Sequence, residues 1–241
     1  MSVALNRMKR LSAESPFSLS LGVVILAAGR SARMGRPKLL LPWGQTSVLG
    51  HLIQQWQSLD AKQTAVVCAA GDETIRAELD RLGFPAGNRI CNPTPERGMF
   101  SSIQCAALWM GWDTALTHWA VVLGDQPHLR HQTLRRVLDL SATQPEKICQ
   151  PARGGHGRHP VVLPRTVVLA LANSMAATLK EFLHAHPGRV VCCQVDDPGL
   201  EVDIDRPEDY QQAVEMREES KQELNQGAIP VNNRETNYES G

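Results

Sequence analysis

Four cations lie within nine residues of one another in a loop, at Arg30, Arg33, Arg36 and Lys38. The loop follows an apolar run over residues 23–28, which is typical of a buried strand. Loops at the carboxyl ends of such strands bind ligands in open α/β sheets. Backbone N–H groups and basic side chains there suit phosphate oxygens. The spacing therefore predicts an anion-binding loop, with a mobile surface loop of solvated charges as the plain alternative.

The glycine spacing excludes two common phosphate-binding motifs. Gly29 and Gly35 are separated by five residues, and Lys38 follows the second glycine after Arg36 and Pro37. This pattern matches neither G-x-x-x-x-G-K-[ST] nor G-x-G-x-x-G. The anion must therefore be identified from residues elsewhere in the chain.

Two acidic turns supply carboxylates for a divalent cation. Asp125 follows an apolar run over residues 119–123 and stands between Gly124 and Gln126-Pro127, while Asp203 and Asp205 alternate in an extended segment. Magnesium prefers one or two carboxylates together with substrate phosphates. The combination suits nucleotidyl transfer, in which cations stabilise charge on the α-phosphate as pyrophosphate leaves. In the plain alternative Asp125 is a turn residue and Asp205 the N-cap of the final helix.

The elements that must position these side chains alternate between strand and helix up to residue 150, which predicts a parallel α/β sheet. Strands are predicted at about 21–28, 64–69, 89–91, 119–123 and 148–150, and helices at about 47–59, 73–82, 101–110 and 130–140. Beyond residue 150 the pattern predicts a glycine-rich loop and a strand up to Pro164, a helix at about 176–185, a strand at about 189–195 and a final helix.

The composition restricts the class of partner and the compartment. Lys and Arg together number 25, as do Asp and Glu, so no global basic field indicates nucleic acid. The six cysteines show neither C-x-x-C nor zinc spacing, which favours a reducing, cytoplasmic setting. Lys9 and Arg10 precede an apolar run that mimics a signal peptide, but its cleavage would destroy the basic loop. No apolar run reaches the ~18 residues of a membrane span, so no membrane partner is expected.

An ordered set of motifs over residues 22–215 resembles the molybdenum cofactor cytidylyltransferases and related MobA-like nucleotidyltransferases. The matching stretches are Leu26-Ala27-Ala28-Gly29-x-Ser31-x-Arg33-Met34-Gly35-x-x-Lys38, Asn92-Pro93 to Gly98-Met99-x-Ser101-Ser102, Gly124-Asp125-Gln126-Pro127, Gly157-x-His159-Pro160, and Asp196-Asp197-Pro198-Gly199 with Asp203-Ile204-Asp205-x-Pro207-Glu208-Asp209.

The resemblance implies a Rossmann-like three-layer α/β fold with a mostly parallel central sheet, acting on an NTP with Mg²⁺. It implies three groups of site residues. Catalytic roles fall on Arg33, Lys38 and Asp125, metal binding on Asp125 with Asp205 or Asp203, and nucleotide binding on Leu26, Ala27, Ala28, Gly29, Ser31, Arg33, Gly35, Lys38, Gly71, Asn92, Gly98, Ser101 and Ser102. The acceptor would lie against Gly157, His159 and Pro160.

The resemblance also suggests the substrates. Guanylyl-transferring relatives tend to carry glycine where this chain has Ala28, which favours CTP. The acceptor would be molybdopterin carrying molybdenum, and the products would be a cytosine dinucleotide cofactor and pyrophosphate. A molybdoenzyme or its chaperone would be a further partner.

The chain would divide into a flexible leader (1–20), a transferase domain (21–217, with nucleotide-binding part 21–150 and acceptor-binding part 151–217) and a polar, disordered tail (218–241).

One departure leaves the acceptor open. Many relatives carry Gly-Asp-x-Gly-Ala-Arg after the His-Pro strand, whereas this chain has Asn173-Ser174-Met175-Ala176-Ala177-Thr178, without the acid, glycine or arginine. Transfer to a sugar phosphate or another small phosphate therefore stays an alternative. A second alternative is a non-catalytic accessory or delivery protein for the molybdenum cofactor.

Overall fold

The computed structural model describes residues 19–29 and 31–227, so most of the predicted leader and Arg30 lie outside the described residues. The strands are β1 (Leu21–Leu26), β2 (Pro42–Trp43), β3 (Thr46–Ser47), β4 (Gln63–Ala69), β5 (Arg89–Asn92), β6 (His118–Leu123), β7 (Ile148–Arg153), β8 (His156–Gly157), β9 (Val161–Pro164) and β10 (Val190–Gln194). Eight of them form the central sheet, in the order β10-β7-β9-β6-β1-β4-β5 with β8 paired to β7, and β2 and β3 form a separate hairpin.

The sheet is mostly parallel, as predicted. β1 pairs in parallel with β4 on one side and with β6 on the other. β4 pairs in parallel with β5, and β7 with β10. β9 runs antiparallel to both β6 and β7. Because the chain leaves β1 towards β4 and later returns to β6 on its other side, a crevice opens at the carboxyl end of β1.

Helices cover both faces of the sheet and complete the three layers. They are α1 (Val48–Gln57), α2 (Glu73–Arg81), α3 (Met99–Leu108), α4 (His131–Thr143), α5 (Arg165–Ala172), α6 (Leu179–His184) and α7 (Pro207–Gly227). The alternation of β1 divides the core, since Val23 and Ile25 pack with α1, α2 and α4, whereas Val24 packs with α3, α5 and α6. The predicted three-layer α/β fold is confirmed.

Two helices begin at the polar residues expected to cap them. The Ser47 side chain accepts a hydrogen bond from the backbone N–H of Gly50, and Asp72 accepts one from Ile75. Each bond satisfies a backbone donor that has no partner inside its helix. α1 and α2 therefore begin close to where the sequence predicts.

The prediction of a disordered tail from residue 218 onwards is wrong for residues 218–227, which continue helix α7. The helix is attached through its first turns, where Tyr210 donates a hydrogen bond to the Pro42 carbonyl and the Arg217 guanidinium lies 5.4 Å from the centre of the Trp43 ring. Glu, Gln and Lys are good helix formers, so an anchored polar helix can continue into solvent. Residues 228–241 lie outside the described residues.

A second difference is α5, which the sequence did not predict. Its sequence, Arg-Thr-Val-Val-Leu-Ala-Leu-Ala, combines β-branched and apolar residues without a clear polar face. Val167 and Leu171 pack with α3 and the sheet, so tertiary burial overrides the weak helix propensity of its β-branched residues. The following helix, predicted over 176–185, forms as α6 over a shorter span.

Candidate active site

Backbone hydrogen bonds hold the described part of the basic loop after β1 in place. The Ala27 N–H donates to the Val67 carbonyl over 2.8 Å and continues the sheet pairing beyond β1. The Ser31 hydroxyl oxygen accepts from the Lys38 N–H over 3.0 Å and joins the two ends of the loop. A short 3-10 turn between them ends at Gly35, whose φ of 67° lies in the left-handed region that favours glycine. These bonds carry Lys38 back to the crevice.

Lys38 lies at the centre of the site. Its Nζ donates to Asp125 Oδ2 over 2.7 Å and to Asp205 Oδ1 over 3.2 Å. Arg33 makes a second contact with Asp205, with Nη2 2.7 Å from Oδ2. The structure thus brings together two cations from the basic loop with carboxylates 87 and 167 residues away from Lys38. The Asp205 carboxylate faces the site and does not cap α7, whose first turn is closed by Asp209 accepting from the Asp205 and Arg206 N–H groups.

Close packing sets the position of Asp125. A Cβ on the preceding Gly124 would lie 2.6 Å from the Leu26 carbonyl oxygen, so β1 and the end of β6 approach each other closely only because this residue is glycine. The Asp125 carbonyl accepts a hydrogen bond from the Ile204 N–H over 3.1 Å. This bond places the Asp203 and Asp205 segment against Asp125.

The environment changes two pKa values in this cluster. Burial lowers the pKa of Lys38, but the charges and hydrogen bonds of Asp125 and Asp205 outweigh that effect, so the pKa is raised and Lys38 stays charged. Burial raises the pKa of Asp203, and the neighbouring Asp125 charge raises it further, although Gln126 donates a hydrogen bond to its Oδ1. Asp203 is therefore the carboxyl group of the cluster that is least compensated by cations.

The carboxylates fit a divalent cation in the way magnesium is usually held. Among the residues that the structure describes, no group of three or more His, Cys, Asp or Glu side chains forms a ready-made metal site. Asp125 Oδ1 is nevertheless buried and has no hydrogen-bond partner in the described part of the chain. An unpaired carboxylate oxygen beside Asp205 fits a cation that takes its remaining ligands from substrate and water. Asp125 with Asp203 or Asp205 could hold it.

Three clefts share lining residues with one another, and the central one contains Lys38 and Asp125 of this cluster. The central cleft, of about 490 Å³, is lined by Leu26, Ala28, Gly29, Lys38, Gly98, Ser102 and Asp125, among others. The loop cleft, also of about 490 Å³, is lined on one side by Ala28, Gly29, Ser31, Gly35 and Arg36. The distal cleft, of about 740 Å³, is lined by Gly157, His159 and residues of α6, and Met99 borders both it and the central cleft.

Five predicted nucleotide-binding residues lie outside the linings of these clefts, and one of them, Arg33, contacts Asp205 instead. Ala27 is buried in the core. Asn92 is fully buried, and its amide donates to the hydroxyl oxygens of Ser101 and Ser102 over 2.9 and 2.8 Å. The Ser101 hydroxyl donates in turn to backbone carbonyls of the 94–98 loop. Asn92 and Ser101 thus hold the wall of the central cleft, while Gly71 forms the exposed turn after β4 with φ of 75°.

Two of the three predicted acceptor residues line the distal cleft. Gly157 packs closely against Gln150, since a Cβ there would lie 2.1 Å from the Gln150 amide nitrogen and that side chain would have to move. The His159 ring is partly buried, with Nδ1 3.3 Å from the Val121 carbonyl, and burial lowers its pKa. Pro160 is buried behind it after a cis peptide bond and does not line the cleft.

Sequence reasoning assigned no role to Met99 at the border of the two clefts, or to Lys180 and His184 on the wall of the distal cleft. Met99 belongs to the Gly98-Met99-x-Ser101-Ser102 motif, so the sequence itself marks this position. Lys180 and His184 are four residues apart on a short helix and belong to no motif.

In the described residues no helix has the length and apolarity needed to cross a membrane.

Comparison with known proteins agrees with this architecture. A family model for the MobA-like NTP transferase domain matches residues 23–197. The molybdenum cofactor cytidylyltransferase of Escherichia coli is 24% identical over 194 residues, which cover 80% of this chain and 94% of that protein. The bifunctional protein GlmU of Pseudomonas fluorescens is 33% identical over 124 residues. That match covers 50% of this chain, which spans only 25% of the length of GlmU.

Solved structures share the fold. Rv0371c from Mycobacterium tuberculosis superposes with a TM-score of 0.61 at 27% identity, covering 83% of this chain and 99% of that one. A structure of Rv0371c in complex with manganese gives a TM-score of 0.59 at 24% identity, covering 81% and 98%. The expectation of a nucleotidyltransferase is confirmed at the level of the family, because the family model spans the basic loop, the Gly124–Pro127 turn and both walls of the distal cleft. The chain belongs to the MobA-like NTP transferase domain family.

Proposed function

We propose that this chain is a Mg²⁺-dependent cytidylyltransferase that transfers CMP from CTP to the phosphate of a molybdopterin-type molybdenum cofactor and releases pyrophosphate. The observation that carries the proposal is the contact of Lys38 Nζ with both Asp125 and Asp205, of which Lys38 and Asp125 line the central cleft. The two carboxylates can hold a metal ion, and Lys38 together with the backbone N–H groups of the basic loop can bind a polyphosphate.

The proposed roles of the site residues are of two kinds: some supply positive charge and others position the substrate. Lys38 and Arg33 neutralise the triphosphate, and the raised pKa of Lys38 keeps it protonated throughout. Ala28 and Gly29 line the same clefts, and their backbone N–H groups would donate hydrogen bonds to phosphate oxygens. Asp125 with Asp203 or Asp205 would hold Mg²⁺, which would supply positive charge at the α-phosphate and the leaving pyrophosphate. An acceptor phosphate is already ionised, so the chain needs no general base.

Three further observations support the finer assignments. Ala28 lines the central cleft, where the choice of base would be made. The E. coli relative named as a molybdenum cofactor cytidylyltransferase aligns over 80% of this chain, which supports the acceptor. The manganese complex of Rv0371c, which shares the fold, supports a divalent cation.

The test is a pyrophosphate-release assay with each of the four NTPs against a panel of acceptors in the presence of Mg²⁺. The panel contains molybdenum-loaded molybdopterin, sugar 1-phosphates and other small phosphate esters. We expect release with CTP and the molybdopterin acceptor. Release with a sugar phosphate instead would assign the alternative transferase, and its absence with every pair would indicate an accessory protein.

A matched pair of variants connects the assay to the site. Asp125→Asn removes one negative charge from the cluster of Lys38, Asp125 and Asp205 and should abolish pyrophosphate release. Asp139→Asn makes the same chemical change on the exposed face of α4 and should leave the rate unchanged. Equal rates for the two variants would overturn the assignment.

A further inference from the structure

The distal cleft has one sign of charge. Among the described residues, every ionisable side chain that lines it is a base and none is a carboxylate; the bases are Arg158, Lys180, His156, His159 and His184. The nearest acid to Arg158 is Glu201, which lies 3.8 Å from its guanidinium and outside the lining. A concave wall of basic groups concentrates anions.

The basic groups form two ends. His159 lies at the end towards the central cleft, where the charge of Asp125 acts on its ring. Lys180 and His184 lie on α6, four residues apart and therefore on one face of that helix. A phosphate positioned for transfer must lie near Asp125, so Lys180 and His184 are on a different wall from the reacting atoms.

The far end consists of Lys180 and His184, whose side chains are open to a ligand. Both side chains are exposed, and in the part of the chain that the structure describes neither makes a hydrogen bond or an ion pair. The neighbouring acid on α6, Glu181, accepts from the Ala177 N–H and is occupied with the helix start. Arg158 Nε is likewise buried without a partner among the described residues. The wall thus presents donors that a ligand could satisfy.

The segment that leads into α6, residues 173–178, carries no charged side chain. Thr178 at its end forms part of the cleft wall. Its hydroxyl oxygen accepts from the Glu181 N–H and begins α6. The segment therefore orients the helix that carries Lys180 and His184 without adding negative charge.

We propose that Lys180 and His184 bind a second anionic group of the acceptor, at the far end from the phosphate that receives the nucleotide. The inference rests on the proposed function and specifies its acceptor class: a phosphate ester that also carries a second negatively charged group. Lys180 contributes charge and His184 an N–H donor. The two act on specificity, and neither touches the reacting atoms.

The kinetic test compares wild type, Lys180→Ala/His184→Ala and Lys221→Ala. Lys221 is an exposed lysine on α7 and serves as the matched control. We expect the double variant to raise the acceptor KM about 10-fold, the order of one charge-assisted hydrogen bond. The kcat at saturating acceptor and the CTP dissociation constant should stay unchanged. An unchanged acceptor KM, or an equal loss of CTP binding, would overturn the proposal.

A binding test separates this proposal from the proposed function. Calorimetric titration with fructose 6-phosphate and fructose 1,6-bisphosphate requires no turnover. Wild type should bind the bisphosphate more tightly than the monophosphate, and the double variant should lose that preference while its circular dichroism stays that of wild type. No preference in wild type would overturn the inference even if CMP transfer occurs. A preference that depends on Lys180 and His184 supports it even if no acceptor releases pyrophosphate.

Discussion

The central and distal clefts border each other at Met99 but satisfy their polar groups in opposite ways. In the central cleft Lys38 is bonded to two carboxylates, and the supporting Asn92 has partners for both ends of its amide. In the distal cleft Lys180 and His184 have no side-chain partners among the described residues. The first cleft is organised before any ligand binds, whereas the second leaves its donors for the ligand. A mutation should therefore cost activity and stability in one, and mainly ligand affinity in the other.

The largest expected effect comes from Lys38→Ala. Removing a positioned cation from the central cleft should lower kcat/KM for the nucleotide by about 10²–10³-fold, the usual cost of losing one group that stabilises transition-state charge. Pyrophosphate release measures it, with Lys221→Ala as the control. A rate equal to that of wild type would contradict the role of Lys38.

The next effect tests the support of the central cleft. Asn92→Ala removes two donated hydrogen bonds, and the one accepted from the Thr94 N–H, from a fully buried position. We expect a loss of about 2–4 kcal/mol in the free energy of unfolding, since the former partners remain buried and unpaired. Urea denaturation measures it. A free energy equal to that of wild type would show that Asn92 acts only on the ligand.

A smaller effect is expected at the matching position of the distal cleft. Thr178→Ala removes the cap of α6, a bond of 3.1 Å to the Glu181 N–H at an exposed site. The loss should be about 0.5–2 kcal/mol, with no change in the CTP dissociation constant. Urea denaturation and CTP titration measure the two quantities. If Thr178→Ala destabilises the protein more than Asn92→Ala, the contrast between the clefts is wrong.

The smallest effect should be a gain in stability. The pKa of Asp203 is raised in the folded protein, so the folded state binds its proton more tightly than the unfolded state, and its contribution to stability falls as pH rises from 3.8 through the folded pKa. Asp203→Asn removes that charge and keeps an oxygen that can accept from Gln126. We expect a slightly higher Tm than wild type at pH 7 without metal, and no gain below pH 3.8. Thermal unfolding across that range measures it, and a lower Tm at pH 7 would contradict the sign.

Local pattern was sufficient where each residue's environment follows from its neighbours in the chain. The apolar run of β1 and the cap residues Ser47 and Asp72 form the predicted elements because burial and capping act within a few residues. Pattern failed where distant packing decides. α5 is helical because α3 and the sheet bury it, and residues 218–227 are helical because α7 is anchored on Trp43.

The candidate site shows the same division. The sequence indicated that Lys38, Asp125 and Asp205 follow or precede regular elements at a common edge of the sheet. It left open whether Asp205 caps a helix or faces the site. The backbone bond from Ile204 to Asp125 decides this, because it turns the Asp205 carboxylate towards Lys38. Asn92 and Ser101 are predicted to bind the nucleotide, whereas in the structure they support the cleft wall from behind, a difference that depends on burial.

The sequence by itself determined the fold class, the basic loop and the two acidic turns, because hydrophobic period and residue chemistry are local properties. Only the tertiary structure decided that Lys38 lies between Asp125 and Asp205. It also decided that Lys180 and His184 line the distal cleft, where no described carboxylate belongs to the lining. These residues are far apart in the chain. Their contacts depend on the order in which β1, β6, β7 and α6 assemble around one crevice, which no local pattern records.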